Sequence, residues 1–472
     1  MNAFLDGIVP RRLLVTLRLG EMPSHVPAWQ ACAAYGVPHA EVIDGGSLDR
    51  LLRHFGGAAR AGRLHSARTP PHALPSVAGA RRYDQVEQLS GVARVLRIEV
   101  QRGERLRDLM QALAQLPHVE AVRPERLVLS PLDATPPTVR ARVAGPAMVD
   151  PLEAWRSREL IRLPQALAYE VGDDTVLIGL ADTGVASAGR VSRLALRPGF
   201  DTVDLRGANF EGLTLVGDGR DVDGDPTDEV GHGTGCAGIL CGDVPDLPPG
   251  AAGRCSLLPA RVLGAALKGE RRVGVGSVAN IDAGMKRLID LGVKVINMSF
   301  GTPESQLAPD EPHPHAEVVR YALSRGVILV AASGNSGLAE RFYPAAHPGV
   351  IAVGAVNVDA EPAHFSTRGP HVALSAPGEA IWSFGLDGWQ RASGTSFAAP
   401  FVSAACALMV ARAGARAWPL EPAHARELLV QSARPFAQAG VDGLGRGVLD
   451  VHAALRALDD WIDSRDDDAQ AA

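Results

Sequence analysis

The sequence predicts an α/β protein whose larger part has a mostly parallel, buried central sheet, preceded by a small α+β domain. Two observations support this fold class. From about residue 153 to 456, apolar runs typical of buried strands alternate with helical stretches. In the first 130 residues, strands with polar and apolar alternation accompany one amphipathic helix. Uninterrupted apolar strands indicate a parallel sheet that helices cover on both faces.

The first domain is predicted to span residues 1–130. Strands are expected at 13–17 and 95–100, and another begins at Val119. Leucines and a methionine at helical spacing predict a helix over 106–116. The stretch at 58–80 is rich in Gly, Ala, Arg and Pro and is predicted to be a loop.

A proline-rich linker is predicted over residues 131–152, and an acidic, disordered tail over 457–472. Between them, residues 153–456 are predicted to form the second domain. Its strands are expected at 175–181, 255–263, 293–298, 327–332 and 350–356, and its helices at 278–291, 317–324 and 401–411. Ligands of such sheets bind at the carboxyl ends of the strands.

Composition limits the kinds of partner. The 472 residues carry a net charge of −6, which does not indicate a nucleic-acid partner. No run of about 18 apolar residues is present, so no membrane partner is expected. The first ten residues do not have the pattern of a secretory signal, and a cytoplasmic location is the expectation, with secretion left open.

The cysteine count is odd and no cysteine spacing matches a zinc site. The five cysteines are expected to be buried, reduced thiols; they are Cys32, Cys236, Cys241, Cys255 and Cys406. A disulfide between Cys236 and Cys241 is the alternative in an oxidising compartment.

Four polar residues lie in small-residue motifs where catalytic groups are expected. Asp182 and Asn335 each follow a buried strand, and His232 lies in Gly-His-Gly-Thr-Gly. Ser396, in Gly-Thr-Ser-Phe-Ala-Ala-Pro, precedes an apolar helical stretch. Backbone N–H groups at a helix start suit a nucleophile whose reaction creates an oxyanion, but they equally suit an inert cap. Turn residues and a structural histidine are the corresponding alternatives for the other three.

The four motifs in this order resemble the subtilisin-like serine proteases, or subtilases. That family carries Asp-Thr-Gly, His-Gly-Thr, an Asn after a strand, and Gly-Thr-Ser-x-Ala-x-Pro, as this chain does at Asp182, His232, Asn335 and Ser396. The resemblance covers about residues 153–456 and implies a three-layer subtilisin-like fold. It also implies a serine endopeptidase that needs no cofactor for its chemistry.

The resemblance implies a role for each of these residues. Ser396 would be the nucleophile, His232 its general base, and Asp182 the group that orients the histidine. Asn335 would donate to the oxyanion. A protein or peptide substrate would pair with the backbone of two segments, Ser299-Phe300-Gly301 and Ala332-Ser333-Gly334.

The first domain resembles a subtilase propeptide, which implies that it is an intramolecular inhibitor. The alternative is a permanently attached regulatory domain. An acidic stretch before the histidine suggests a calcium site at Asp221, Asp223 and Asp225, with a solvated acidic loop as the alternative. Glu340, after the Asn motif, would favour a basic substrate side chain.

Two other functions remain open at this point. A non-catalytic binding protein on the same fold would need a broken triad, and none of the motifs is broken. A peptide acyl-transferase or macrocyclase would use the same catalytic residues, so the sequence separates it poorly from a protease.

Overall fold

Two seven-stranded sheets organise the chain. The computed structural model describes residues 7–68, 83–130, 151–186, 196–205, 212–216, 224–243, 248–386 and 388–471. Its strands are β1 (Ile8–Leu17), β2 (Ala59–Arg63), β3 (Val95–Val100), β4 (Val119–Leu129), β5 (Leu177–Asp182), β6 (Phe200–Asp201), β7 (Thr214–Leu215), β8 (Ser256–Arg261), β9 (Gly264–Lys268), β10 (Arg271–Ser277), β11 (Val295–Met298), β12 (Thr302–Pro303), β13 (Ile328–Ala332), β14 (Phe342–Tyr343), β15 (Ile351–Val356), β16 (Val372–Pro377), β17 (Ile381–Phe384) and β18 (Trp389–Ala392).

Helices surround these sheets. They are α1 (Trp29–Tyr35), α2 (Ser47–Leu51), α3 (Gln85–Ser90), α4 (Leu106–Ala114), α5 (Pro151–Leu160), α6 (Leu163–Tyr169), α7 (His232–Cys241), α8 (Val278–Asp290), α9 (Ala316–Ser324), α10 (Thr395–Ala415), α11 (Pro422–Ser432) and α12 (Val451–Ala471).

The central sheet has the order β16-β15-β13-β11-β5-β8-β6, and its neighbouring strands pair in parallel. On one face, α7, α10 and α12 contribute to a large apolar core that contains Ile239, Phe401 and Leu455. On the other face, α8 and α9 contribute Met285 and Val318 to a second core. This arrangement confirms the predicted three-layer α/β fold.

The N-terminal region pairs four antiparallel strands in the order β2-β3-β1-β4. Helix α4 packs Leu106, Leu109 and Leu113 into the core of this region, as its apolar spacing predicted. The loop predicted over 58–80 is wrong at its start, because residues 59–63 form β2. This strand has little apolar alternation of its own, and its pairing with β3 holds it in place.

Strand β4 joins the N-terminal region to the rest of the molecule. It pairs antiparallel with β10, which extends the sheet through β10-β9-β7. The predicted linker at 131–150 lies outside the described residues, and the predicted domain boundaries stay a prediction.

The start of α10 and the C-terminal part of α12 differ from expectation. Helix α10 begins at Thr395, before the predicted start, and is long and apolar enough to cross a membrane. However, 83% of its apolar stretch is buried inside the fold, which is the pattern of a core helix. The disordered tail is a wrong prediction for residues 457–465, because α12 continues there and buries Ile462 against the core.

The five cysteines are free and buried. This confirms the expectation of reduced thiols, and the alternative disulfide between Cys236 and Cys241 is not formed.

Candidate active site

Three neighbouring strands deliver polar groups to one edge of the central sheet. Strands β13, β11 and β5 are adjacent and parallel, so their carboxyl ends lie side by side. Asp182 is the last residue of β5, Ser299 follows β11, and Asn335 lies three residues beyond β13. The parallel register therefore brings together groups that are far apart in sequence.

Asp182 and His232 form a buried hydrogen-bonded pair. The Nδ1 of His232 lies 2.7 Å from Oδ1 of Asp182, and Asp182 has no solvent exposure. The same carboxylate oxygen accepts from the backbone N–H of Thr183 at 2.7 Å. A carboxylate only accepts, so Nδ1 carries the proton in this pair. The other ring nitrogen, Nε2, then has its lone pair available as a base.

Helix α7 holds His232 at its first turn. The buried carboxylate of Asp228 accepts from the backbone N–H groups of Gly231 and Thr234 at 2.9 Å each, and so caps the start of the helix. Gly233 lets the loop after β5 approach closely, because a Cβ there would lie 2.2 Å from the carbonyl oxygen of Gly184. These contacts fix the helix start against the strand that carries Asp182.

Ser396 is the second residue of α10, and its backbone is anchored from outside the helix. Pro400 has no N–H to donate to the Ser396 carbonyl four residues earlier. That carbonyl instead accepts from the hydroxyl of Ser299 at 2.8 Å. The Ser396 hydroxyl lies 3.4 Å from the Ser299 carbonyl oxygen. The helical hydrogen bond that Pro400 cannot make is thus replaced by one that joins the helix start to the segment after β11.

Ser396 and His232 lie on two helices that pack together. The ring of Phe397 lies 5.4 Å from the His232 ring, centroid to centroid. The thiol of Cys236, one turn after His232, donates to the Ser396 carbonyl at 3.4 Å. Burial, together with the charge of Asp182, raises the pKa of this thiol well above its usual value. Cys236 is therefore a neutral packing group and not a competing nucleophile.

Asn335 is oriented by Thr395. Its Oδ1 accepts from the Thr395 backbone N–H at 2.9 Å and from the Thr395 hydroxyl at 2.8 Å. The amide Nδ2 of Asn335 faces Gly394, since a Cβ added at Gly394 would lie 3.0 Å from it. With its oxygen held in this way, the Asn335 amide presents N–H donors beside the start of α10.

The two predicted substrate-binding segments contribute backbone and not side chains. Phe300 is fully buried and its ring contacts the His315 ring. The hydroxyl of Ser333 donates to the Thr367 carbonyl at 3.1 Å. Ala332 ends β13, and Gly334 and Gly301 lie at the ends of the two segments.

An extended strand already lies in the groove beside the first segment. Leu129 of β4 pairs with Val275 of β10 on one side and bridges Gly301 on the other. The next residue, Ser130, donates its N–H to the Gly274 carbonyl at 2.8 Å. The end of β4 is thus a middle strand between β10 and the segment that follows β11.

The predicted calcium site stays a prediction. Asp221 and Asp223 lie outside the described residues. The carboxylate of Asp225 accepts from the backbone N–H and the hydroxyl of Thr227, at 2.9 and 2.7 Å. Among the described residues, the one group of three potential metal ligands is Asp182, His232 and Cys236, two of which are the hydrogen-bonded pair.

Sequence reasoning missed three residues that position the site. Thr395 orients Asn335, Asp228 caps α7, and Cys236 links that helix to Ser396. A signal existed for Asp228, since an Asp shortly before a helix start is typical of a cap. Thr395 and Cys236 act through contacts between elements distant in sequence, so no local pattern indicates them.

Comparisons with known proteins show which family the chain is similar to. The model of the subtilase family matches residues 173–448. The chain is 29% identical to subtilisin DY of Bacillus licheniformis, over 63% of this chain and 97% of that protein. It is 33% identical to the major intracellular serine protease of Bacillus subtilis strain 168, over 57% and 78%. Among solved structures, the protease domain of PatA is 28% identical with a TM-score of 0.50, over 61% and 97%.

Proposed function

Because the chain belongs to the subtilase family of serine proteases, we propose that it is an endopeptidase that forms an acyl-enzyme on Ser396. The observation that carries this proposal is the 2.7 Å hydrogen bond between His232 and the buried Asp182 at the sheet edge that Ser396 also reaches. A nucleophile, a base and a group that orients the base are the parts that serine-protease chemistry needs.

His232 performs the proton transfers in this mechanism. Its Nε2 takes the proton of the Ser396 hydroxyl as the oxygen attacks the peptide carbonyl. The proton then passes to the leaving amine, and water hydrolyses the acyl-enzyme by the reverse sequence. Asp182 stays ionised throughout, holds Nδ1 protonated, and stabilises the imidazolium that forms. The Ser396 hydroxyl, which lies 3.4 Å from the Ser299 carbonyl, has to turn towards His232 for this transfer.

Asn335 and the Ser396 backbone N–H stabilise the oxyanion. The first N–H groups of a helix have no partner within it, and the helix dipole places positive charge there. The Asn335 Nδ2 adds a donor from the opposite side, and Thr395 prevents the amide from turning its oxygen inwards. A fixed donor costs no reorganisation when the negative charge develops.

Replacing Asn335 with alanine is expected to lower kcat by about 10²–10³, the loss known for the corresponding donor of subtilisin, with little change in KM. The donor acts on the oxyanion and not on the bound peptide, so substrate affinity is preserved. Steady-state kinetics on a peptide p-nitroanilide measures both constants.

Asn357→Ala is a matched control, because Asn357 lies in an exposed turn where its amide bonds to Glu361. A change confined to KM in Asn335→Ala, with kcat preserved, would contradict the oxyanion role.

The N-terminal region acts as an intramolecular inhibitor in this proposal. Its support is the end of β4, which lies between β10 and Gly301 where an extended substrate would add a strand. A substrate peptide would bind in the same backbone-pairing mode once this strand leaves. Cleavage in the segment at 131–150 would release it.

Buried ion pairs hold the N-terminal region against the protease. Both terminal nitrogens of Arg123 donate to the Glu317 carboxylate at 2.9 Å, and the Thr16 hydroxyl donates to it at 3.0 Å. Burial opposes ionisation of Glu317, but the charge and hydrogen bonds of Arg123 prevail and lower its pKa to about 2. Glu87 of the N-terminal region likewise pairs with Lys286 at 2.7 Å.

Replacing Glu317 with alanine is expected to destabilise the docked state by about 3–5 kcal/mol, because Arg123 is left charged and buried without its partner. Urea denaturation, followed in the Ser396→Ala background to prevent self-cleavage, measures the loss. The exposed pair of Arg156 and Asp359 supplies the control: Asp359→Ala should cost less than about 1 kcal/mol. Equal losses in the two variants would contradict a docking role for the buried pair.

A further inference from the structure

The gap between the two substrate-binding segments is filled by the ring of Phe342. A Cβ at Gly301, in the segment after β11, would lie 2.4 Å from Cε1 of that ring. A Cβ at Gly334, in the segment after β13, would lie 3.1 Å from its Cγ and 3.2 Å from its Cδ2. The ring therefore lies against both segments at once, and Phe342 is only 8% exposed.

The fold holds Phe342 in this position. Strand β14 pairs with β12, where Pro303 faces Phe342 and Thr302 faces Tyr343. The Phe342 carbonyl accepts from the Ala346 N–H at 2.8 Å. Tyr343 is held in turn by a stacked contact with His313, whose ring centroid is 4.1 Å away. These contacts fix the backbone that carries the ring beside the gap.

The gap is where the substrate residue whose carbonyl acylates Ser396 must place its side chain. Its carbonyl carbon has to reach the Ser396 hydroxyl, which lies 3.4 Å from the Ser299 carbonyl. Its carbonyl oxygen has to reach Asn335, which directly follows Gly334. The contact with Ser396 is beside the first segment and the contact with Asn335 is beside the second. The side chain of this acyl-side residue therefore points between the two segments.

On the basis of the proposed protease function, we infer that Phe342 determines specificity by restricting the acyl-side residue to a small side chain, such as that of alanine, glycine or serine. A large aromatic side chain would need the volume that the Phe342 ring occupies, and overpacking of this kind is unfavourable. This inference differs from the expectation that Glu340 favours a basic substrate side chain. The Glu340 carboxylate accepts from the Ser305 hydroxyl at 3.0 Å.

The experiment compares peptide p-nitroanilides that differ only in the acyl-side residue: alanine, phenylalanine or arginine. The segment at 131–150 is first cut by limited proteolysis, which is expected to release the inhibitory strand, and the active sites are then titrated with a fluorophosphonate. We expect kcat/KM for the alanine substrate to exceed that for the other two by about 100-fold, the range of discrimination that pocket size provides. Phe342→Gly should raise the phenylalanine-to-alanine ratio by about 100-fold. Tyr343→Phe, a change at the neighbouring aromatic residue, should leave the ratio unchanged.

Two results would overturn the inference: a titrated native chain that prefers phenylalanine or arginine, or a titrated Phe342→Gly variant with an unchanged ratio. If Phe342→Gly does not titrate, Phe342→Ala provides the same comparison. A chain that neither titrates nor cleaves any substrate after the segment at 131–150 has been cut would instead refute the proposed protease function on which the inference rests.

Discussion

Replacing Ser396 with alanine is expected to lower kcat by about 10⁶, the loss known for the nucleophile of subtilisin, without unfolding the protein. The hydroxyl is needed to form the acyl-enzyme, and no neighbouring group can take its place. The Cys236 thiol contacts the Ser396 carbonyl, but its raised pKa keeps it protonated. Stability should be nearly preserved, because the 2.8 Å hydrogen bond from Ser299 to the Ser396 carbonyl remains and only the longer, 3.4 Å contact of the Ser396 hydroxyl is lost.

Ser393→Ala is a suitable control for this variant. Ser393 lies three residues before the nucleophile, and its hydroxyl accepts from the Ala380 N–H at 2.9 Å, outside the reacting groups. This control should keep its kcat within a few-fold of the native value. If Ser396→Ala retained more than about one per cent of the native kcat, the nucleophile assignment would be wrong, since residual rates of triad variants are far lower.

Replacing Asp182 with asparagine is expected to lower kcat by about 10⁴ while leaving the geometry nearly intact. The native carboxylate accepts from His232 Nδ1 and from the Thr183 N–H through the same oxygen. A neutral amide that donates to Nδ1 stabilises the tautomer with the proton on Nε2, which cannot accept the serine proton. It also removes the negative charge that stabilises the imidazolium.

The dependence of kcat on pH checks this explanation. The activity of Asp182→Asn should recover partly at high pH, where bases other than His232 take the serine proton. Asp173→Asn provides the control, since the Asp173 carboxylate accepts from the backbone N–H and the hydroxyl of Thr175 in an exposed turn. A loss in Asp182→Asn of less than about tenfold would show that His232 is oriented by something other than this carboxylate.

Local sequence pattern predicted much of the central sheet. Apolar runs located β11, β13 and β15 to within two residues, because buried parallel strands need little besides apolar side chains. Strand β2 was missed because Ala-Arg-Ala-Gly-Arg has no pattern of its own and is held by β3. The start of α10 was placed too late, since the helix begins at Thr395 and includes Pro400, whereas the prediction began at residue 401.

The site was predicted where its residues lie in motifs and missed where they act across the fold. Asp182, His232, Asn335 and Ser396 were found from small-residue motifs in a fixed order. The strand of the N-terminal region beside Gly301 could not be located from sequence, because the paired residues, Leu129 and Gly301, are separated by about a third of the chain. Phe342 carries no motif, and its place between Gly301 and Gly334 follows only from the pairing of β14 with β12.

The acyl-enzyme on Ser396 is the central claim, and peptide mapping of the fluorophosphonate-treated native chain tests it most directly. The reagent is attacked by an activated serine and leaves a stable adduct on that oxygen. We predict a single adduct, located by tandem mass spectrometry on Ser396, that is absent when the protein is denatured before treatment. An adduct on another residue of the native chain, or the absence of any adduct after the segment at 131–150 has been cut, would contradict the mechanism.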